Sequence, residues 1–241
     1  MSLDPALLYD VVEHTWPAAS TRREGGWCIR DGQGGGKRVS AATAEGPVQA
    51  ADLPVAEAAM QALGQSPLFM IRQGEEALDA MLADAGYKVV DPVNLYTLPI
   101  AQLTDVPLPR VTAFEIWEPL AIMREIWAAG GIGSARLNVM ERAATKTGIF
   151  GRWNERPAGV GFAALHREVC MVHAVEVLTH QRRNGVAQWI MRGAAFWGLG
   201  KGAKHIAVLC VEENVAANAL YLGLGFSKAG GYHYRQKPTE G

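Results

Sequence analysis

The residues best suited to chemistry lie between Val175 and Ala187. A short apolar run ending at Val177 gives way to Leu178-Thr-His-Gln-Arg-Arg-Asn-Gly-Val-Ala187, and an amphipathic stretch follows. That order predicts a strand, a turn and the start of a helix. Arg182, Arg183, Asn184, Gly185, Val186 and Ala187 then fall where a helix presents amide N–H groups that have no partner within the helix. Such an end attracts anions, because the donors and the positive end of the helix dipole point the same way. Gly185 and Ala187 let the backbone come close, and the two arginines add charge. The chemistry implied is a diphosphate cradle.

Two titratable groups, His173 and Glu176, stand on the strand before the cradle. Side chains alternate along a regular strand, so His173, Val175 and Val177 would share one face. Glu176 would take the other face unless a bulge intervenes. A histidine can accept a proton at neutral pH, which suits an ammonium substrate. It can equally be a half-buried strand residue bonded to a backbone carbonyl. Glu176 has the same two sides, a proton acceptor or a solvated, ion-paired carboxylate.

The elements that must position these groups follow from pattern and punctuation. The chain has 241 residues, 49% of them hydrophobic, enough for one large domain or two small ones. A formal charge of -1 argues against a nucleic-acid partner. No apolar run of membrane-spanning length occurs, and the start lacks the layout of a signal peptide, so no membrane partner is expected. Cys28, Cys170 and Cys210 are odd in number and have no metal-ligand spacing, which reads as free thiols in a reducing cytoplasm and no metal.

Pro99, Pro107 and Pro109 mark a linker at 99–110 between a first half, 1–98, and a second, 111–241. In the first half we expect a helix at 3–14 and a hairpin of 26–30 with 37–41 around a glycine-rich turn. Helices at 55–63 and 75–84 and strands at 68–71 and 87–98 follow. In the second half we expect helices at 119–129, 134–145, 186–199 and 215–224. Strands are expected at 146–153, 158–165, Val169–Val177, His205–Val211 and 230–235. The last alternates aromatics and suits a strand bordering an acceptor pocket, or an edge strand packed on the core. Trp117, Trp127 and Trp153 read either as core or as pocket wall. Residues 77–87 can be laid on 216–226 as short helices that stop at a glycine before an aromatic, a faint internal repeat. No basic, glycine-bearing loop follows a strand before residue 110, so the first half would lack a ligand site. Neither a P-loop nor a serine-hydrolase elbow is present.

Arg182-x-x-Gly185-x-Ala187 resembles the first signature of the GCN5-related N-acetyltransferases (GNAT). Asn214-x-x-Ala217-x-x-Leu220-Tyr221-x-x-x-Gly225-Phe226 resembles the second, and together they span roughly 145–235. The resemblance implies an α/β (α+β) fold with a mixed, splayed central sheet flanked by helices. The faint repeat suggests two GNAT-like lobes, the first a degenerate copy. It further implies an enzyme that moves an acetyl group from acetyl-CoA to a primary amine of a small molecule or peptide, by direct attack in a ternary complex. Arg182, Arg183, Asn184, Gly185, Val186 and Ala187 would hold the pyrophosphate. Amides of Val175 and Val177 would meet the pantetheine arm and the acetyl carbonyl, with Asn214 bonding the arm. Tyr221 would be the general acid at the sulfur, and His173 or Glu176 the base. A non-catalytic acyl-CoA-binding or sensing protein on the same fold is the alternative. A homodimer is left open.

Overall fold

The computed structural model describes residues 3–238. The chain runs through α1 (Pro5–Thr15), β1 (Ser20–Glu24), β2 (Trp27–Asp31), α2 (Lys37–Ser40) and β3 (Thr43–Ala44). Next come α3 (Leu53–Ala62), β4 (Leu68–Arg72), α4 (Glu76–Asp84) and β5 (Lys88–Pro99). The second half begins with β6 (Ala113–Ile116), α5 (Ala121–Ala129), α6 (Ser134–Arg142), β7 (Thr145–Trp153), β8 (Arg156–His166) and β9 (Val169–Val177). It ends with α7 (Val186–Gly200), β10 (His205–Val211), α8 (Val215–Gly223) and β11 (Ser227–Gln236). Among the described residues no helix is long and apolar enough to cross a membrane.

Two compact units share the chain. The first comprises the described residues up to Pro17, Leu95–Cys210 and Asn214–Ala229; the second comprises Ala18–Asn94, Val211–Glu213 and the described residues from Gly230. These bounds cut across the boundary expected at residue 98, because α1 and Leu95–Pro99 of β5 belong to the first unit. The reason is burial. Leu8, Val11 and Val12 of α1 are buried, and Ile100 and Leu103, in the segment expected to be a linker, sit in the first unit's core. Residues 1–2 and 239–241 of the expected domains lie outside the described residues.

In the first unit the strands follow the order β6, β7, β8, β9, β10 and then the end of β5. The β6–β7, β7–β8 and β8–β9 pairs are antiparallel and β9–β10 is parallel, so the sheet is mixed. One face carries α7. Gly161 of β8 makes room for it, since a Cβ there would come within 2.7 Å of Ile190 Cγ2. Gly198 of α7 does the same from the helix side against Cys170 Cβ, at 2.6 Å. The other face carries α1 and α5, with Trp16 edge-on to Phe162 and Gly148 leaving space for Met123. The helix expected over 134–145 stops at Arg142, because Ala143 turns extended and Lys146 Nζ donates to the terminal carbonyls of Glu141 and Ala143.

In the second unit, β1, β2 and β3 form one sheet, and β4, the end of β11 and the start of β5 lie in that order. The expected hairpin of 26–30 with 37–41 is corrected. Ser20–Glu24 pairs with Trp27–Asp31 across Gly25 and Gly26, whose φ values of 54° and 87° make the two-residue turn that suits a hairpin. Residues Lys37–Ser40 are a short helix. Trp27, Phe69, Leu82 and Tyr87 anchor this unit's core. Tyr232 and Tyr234 of β11 are buried there beside Arg38, so both tyrosines pack in the second unit. Arg235 and His233 both bond Asp79 and hold its carboxyl at about 2.

The matched helix endings hold in detail. The Tyr87 N–H donates to Leu82 and Gly86 to Ala83; the Phe226 N–H donates to Tyr221 and Gly225 to Leu222. Gly86 and Gly225 have φ of 86° and 91°, the left-handed geometry this cap requires. The tight seating of α7 yields a test. Gly161→Val should lower unfolding free energy by about 1–3 kcal/mol through overpacking against Ile190. Gly200→Ala, at a position with open space around it, should not lower it; chemical denaturation of both variants measures the difference.

Candidate active site

The register of β8 with β9 is interrupted. Phe162 stands opposite His173 and Val160 opposite Glu176, so Ala174 and Val175 together face the single Gly161. Ala174 takes φ 51°, which completes a β-bulge. The extra residue resets the alternation. His173 and Glu176 both fall on the face of Phe162 and Val160, toward α1 and α5, while Val175 and Val177 pack toward the α7 core. This corrects the expectation that His173 would share its face with Val175 and Val177.

Just before the bulge β9 also parts from β10. Their parallel pairing covers His205–Val208 against Val169–Val172, and β9 continues to Val177 without β10 beside it. Leu178 N–H donates to Ala158 on β8, so by alternation the backbone of Val177 turns away from β8. The Val177 carbonyl accepts from Arg182 Nε at 3.3 Å, in keeping with that direction.

At the end of β9 the chain makes one 3-10 turn (Thr179–Gln181) and enters α7. Gly185 is the N-cap with φ 77°, and no side chain caps the helix. Arg182, Arg183 and Gly185 are exposed, Asn184 bonds back to the Gln181 carbonyl, and Val186 is buried as the first apolar anchor. The amides of the first turn are therefore presented past Gly185 with no competing side-chain acceptor. That arrangement fits a diphosphate.

Several groups converge near the parting strands. The Glu176 carboxyl is half-buried, and burial raises its pKa, opposed by the charges of Arg182 and Arg136. It rests on the end of α5, where a Cβ on Gly130 would lie 2.4 Å from Glu176 Cδ. Tyr221 of α8 is 6% exposed, with its ring against Tyr96 and Phe226. Burial foremost, then Cys210 and Glu176, hold its phenol protonated well above the ordinary value. Burial pushes the Cys210 thiol to about 11. Asn214 caps α8 by accepting from Ala217 N–H at 3.1 Å, so its carboxamide oxygen is engaged locally.

His173 is sequestered. It is 4% exposed, and Nε2 lies 2.9 Å from Thr15 Oγ1, with the Trp16 ring 5.1 Å away. Thr15 donates its only hydroxyl proton to the Val11 carbonyl, so it accepts from His173 and fixes the proton on Nε2. Cys28, Cys170 and Cys210 are buried thiols outside any disulfide among the described residues. Trp127 is buried and donates its indole N–H to the Ala174 carbonyl at 2.9 Å; Trp117 packs by Phe162, and Trp153 lies against the core. The sequence reading did not single out Gly130 or Arg136 as neighbours of Glu176. Gly130 reads as an ordinary helix stop, and no local signal marks either. The Thr15 contact has a measurable consequence. Thr15→Val removes the buried hydroxyl that His173 Nε2 bonds and should cost about 1 kcal/mol of stability, read by urea denaturation.

Comparisons with known proteins bear on the fold and the family. Residues 116–226 match the family model described as the acetyltransferase (GNAT) family. A protein of Bacillus subtilis (strain 168) named uncharacterized N-acetyltransferase YobR is 24% identical over 233 residues, covering 92% of this chain and 94% of its own. A GCN5-related N-acetyltransferase from Kribbella flavida superposes with a TM-score of 0.72 at 17% identity, over 99% of this chain and 96% of that one. A tandem GNAT protein from the clavulanic acid biosynthesis pathway superposes with a TM-score of 0.61 at 12% identity, over 95% and 86%. The mixed sheet flanked by helices is thus the fold of these proteins, and residues 116–226 form an acetyltransferase domain of the GNAT family.

Proposed function

We propose that this domain transfers an acetyl group from acetyl-CoA to a primary amine of a small molecule or peptide, by direct attack in a ternary complex. The observation that carries the reading is the parting of β9 from β10, with the uncapped start of α7 at the end of β9. The first-turn amides of α7, with Val186 and Ala187 among them, would hold the pyrophosphate, assisted by the exposed Arg183 and by Arg182 and Asn184. The backbone of Val177, and of Val175 beside it, would pair with the pantetheine arm and stabilise charge building on the acetyl oxygen. Asn214 would bond the arm through its amide nitrogen while its oxygen caps α8.

Proton handling falls to Glu176 and Tyr221. Glu176 takes a proton from the ammonium; the amine nitrogen forms its bond to the acetyl carbon, and the carbon–sulfur bond breaks. Tyr221 gives its proton to the departing thiolate, and the second proton that the nitrogen sheds as the amide forms restores the phenol. A raised carboxyl pKa brings Glu176 closer to the operating pH, and a phenol held protonated is a competent acid. His173, its Nε2–H engaged by Thr15, positions the strand on this reading. We also read the first half as a diverged copy of the fold without a cofactor site, supported by its matching Gly86 cap. Buried thiols outside any disulfide are in keeping with a cytoplasmic setting.

Two measurements test the reading. Gly185→Val forces a branched side chain into φ 77° beside Trp189 and should abolish acetyl-CoA binding in calorimetric titration; unchanged affinity would overturn the cradle. The base must be ionised, so kcat/KM should fall as pH drops through the raised Glu176 pKa. Glu176→Gln should remove that acidic limb and lower kcat about 100-fold or more. A panel of polyamines, aminoglycosides, amino acids and N-terminal peptides, read by CoA release, identifies the acceptor.

A further inference from the structure

The bulge that presents Glu176 is held from outside its own sheet. Ala174 has φ 51°, a left-handed conformation that a residue bearing Cβ adopts at a cost and keeps only when its surroundings compensate. The Trp127 indole on α5 donates to the Ala174 carbonyl, Nε1 to oxygen 2.9 Å. Trp127 is fully buried, and three residues later the same helix ends at Gly130, against the Glu176 carboxyl. One helix end therefore bonds the bulge and supports the side chain that the bulge turns out.

We propose that Trp127 is a positioning residue for acyl transfer: its indole N–H holds the Ala174 bulge, and the bulge keeps Glu176 on the acceptor face. The inference rests on Glu176 being the base. Were β9 to lose the bulge and run as a regular strand, a one-residue slip would carry Glu176 to the opposite face, under α7. Removing the indole donor favours that slip twice over. It takes the partner from a part-buried carbonyl and removes the compensation for the left-handed alanine.

The test is Trp127→Phe, read by kcat/KM against pH alongside acetyl-CoA affinity. The charged and titratable groups facing Glu176 are Arg136 of α6, Arg182 of the loop before α7 and Tyr221 of α8, with Cys210 of β10 adjoining Tyr221. None is altered by the substitution. We expect kcat to fall about tenfold, the effect of losing one part-buried hydrogen bond. The acidic limb should move to higher pH, because the slipped strand seats Glu176 against Ile190 and Val186 under α7, where burial favours the neutral acid. Loss of folded protein alone would lower the amplitude and leave the limb in place. Adding Ala174→Gly to Trp127→Phe removes the cost of the left-handed conformation without restoring indole or packing. It should recover most of kcat and return the limb. An unmoved limb in Trp127→Phe, or no recovery in the double variant, overturns the proposal. Should Trp127→Phe not fold, benzothienylalanine at position 127 replaces only the N–H by sulfur and is read the same way. Glu176→Gln separates the two claims. If it leaves the limb intact, the base assignment fails; if it removes a limb that Trp127→Phe leaves unmoved, only the role of Trp127 fails.

Discussion

A sheet that opens between two of its own strands leaves backbone donors and acceptors in need of partners, and the first unit is arranged around that need. β9 keeps β10 beside it only as far as Val172 and then runs on to Val177. An amide or carbonyl left unpaired in a buried setting costs about 1–3 kcal/mol. The chain meets part of this cost with its own side chains. Trp127 takes the Ala174 carbonyl, and Arg182 takes that of Val177. The remaining edge suits an extended ligand with amides of its own, which would join the sheet as a strand does.

The bulge solves a second problem in the same few residues. A regular alternation would bring Glu176 toward the α7 face and expose an apolar partner on the other. With Ala174 inserted, Val175 and Val177 go under α7 and the polar His173 and Glu176 go opposite. The close seating of α7 depends on those valines and on the glycines of β8, since a side chain at Gly161 would meet Ile190. α7 can therefore lie flat on the sheet, and its uncapped first turn comes directly off the end of β9. Core packing and the uncapped helix start are consequences of one helix placement.

These features differ in how far a sequence reveals them. Gly185 followed by Val186 and Ala187 announces a helix start, and Val169–Val177 announces a strand, because each is a local pattern with a local cause. The bulge is different. It falls on an alanine, where a left-handed residue is usually glycine, and what holds it is Trp127, 47 residues away in sequence. The same holds for His173. Its type suggested proton transfer, but its partner is Thr15, at the other end of the chain, and that contact decides its tautomer and its burial. In the hairpin, Gly34-Gly-Gly36 drew the turn away from Gly25-Gly26, whose paired positive φ values make the tighter connection.

Long-range assembly also explains why a split of the chain into halves is not a split of the fold. β5 comes from the first half, yet its end lies next to β10 in the first unit. Tyr96 on that strand donates its hydroxyl to Asn218 Oδ1 at 2.8 Å, and Asn218 Nδ2 donates to the Asn214 carbonyl at 2.8 Å. The start of α8 is thereby braced, and with it the cap of Asn214 and the seat of Tyr221, whose ring lies 6.1 Å from that of Tyr96. α1 contributes in the same way by enclosing His173 with Thr15 and Trp16. A domain cut at residue 98 would remove Tyr96, Thr15 and a neighbour of β10 together. The family-matching segment 116–226 carries the signatures, but the walls that set their geometry come from residues that precede it.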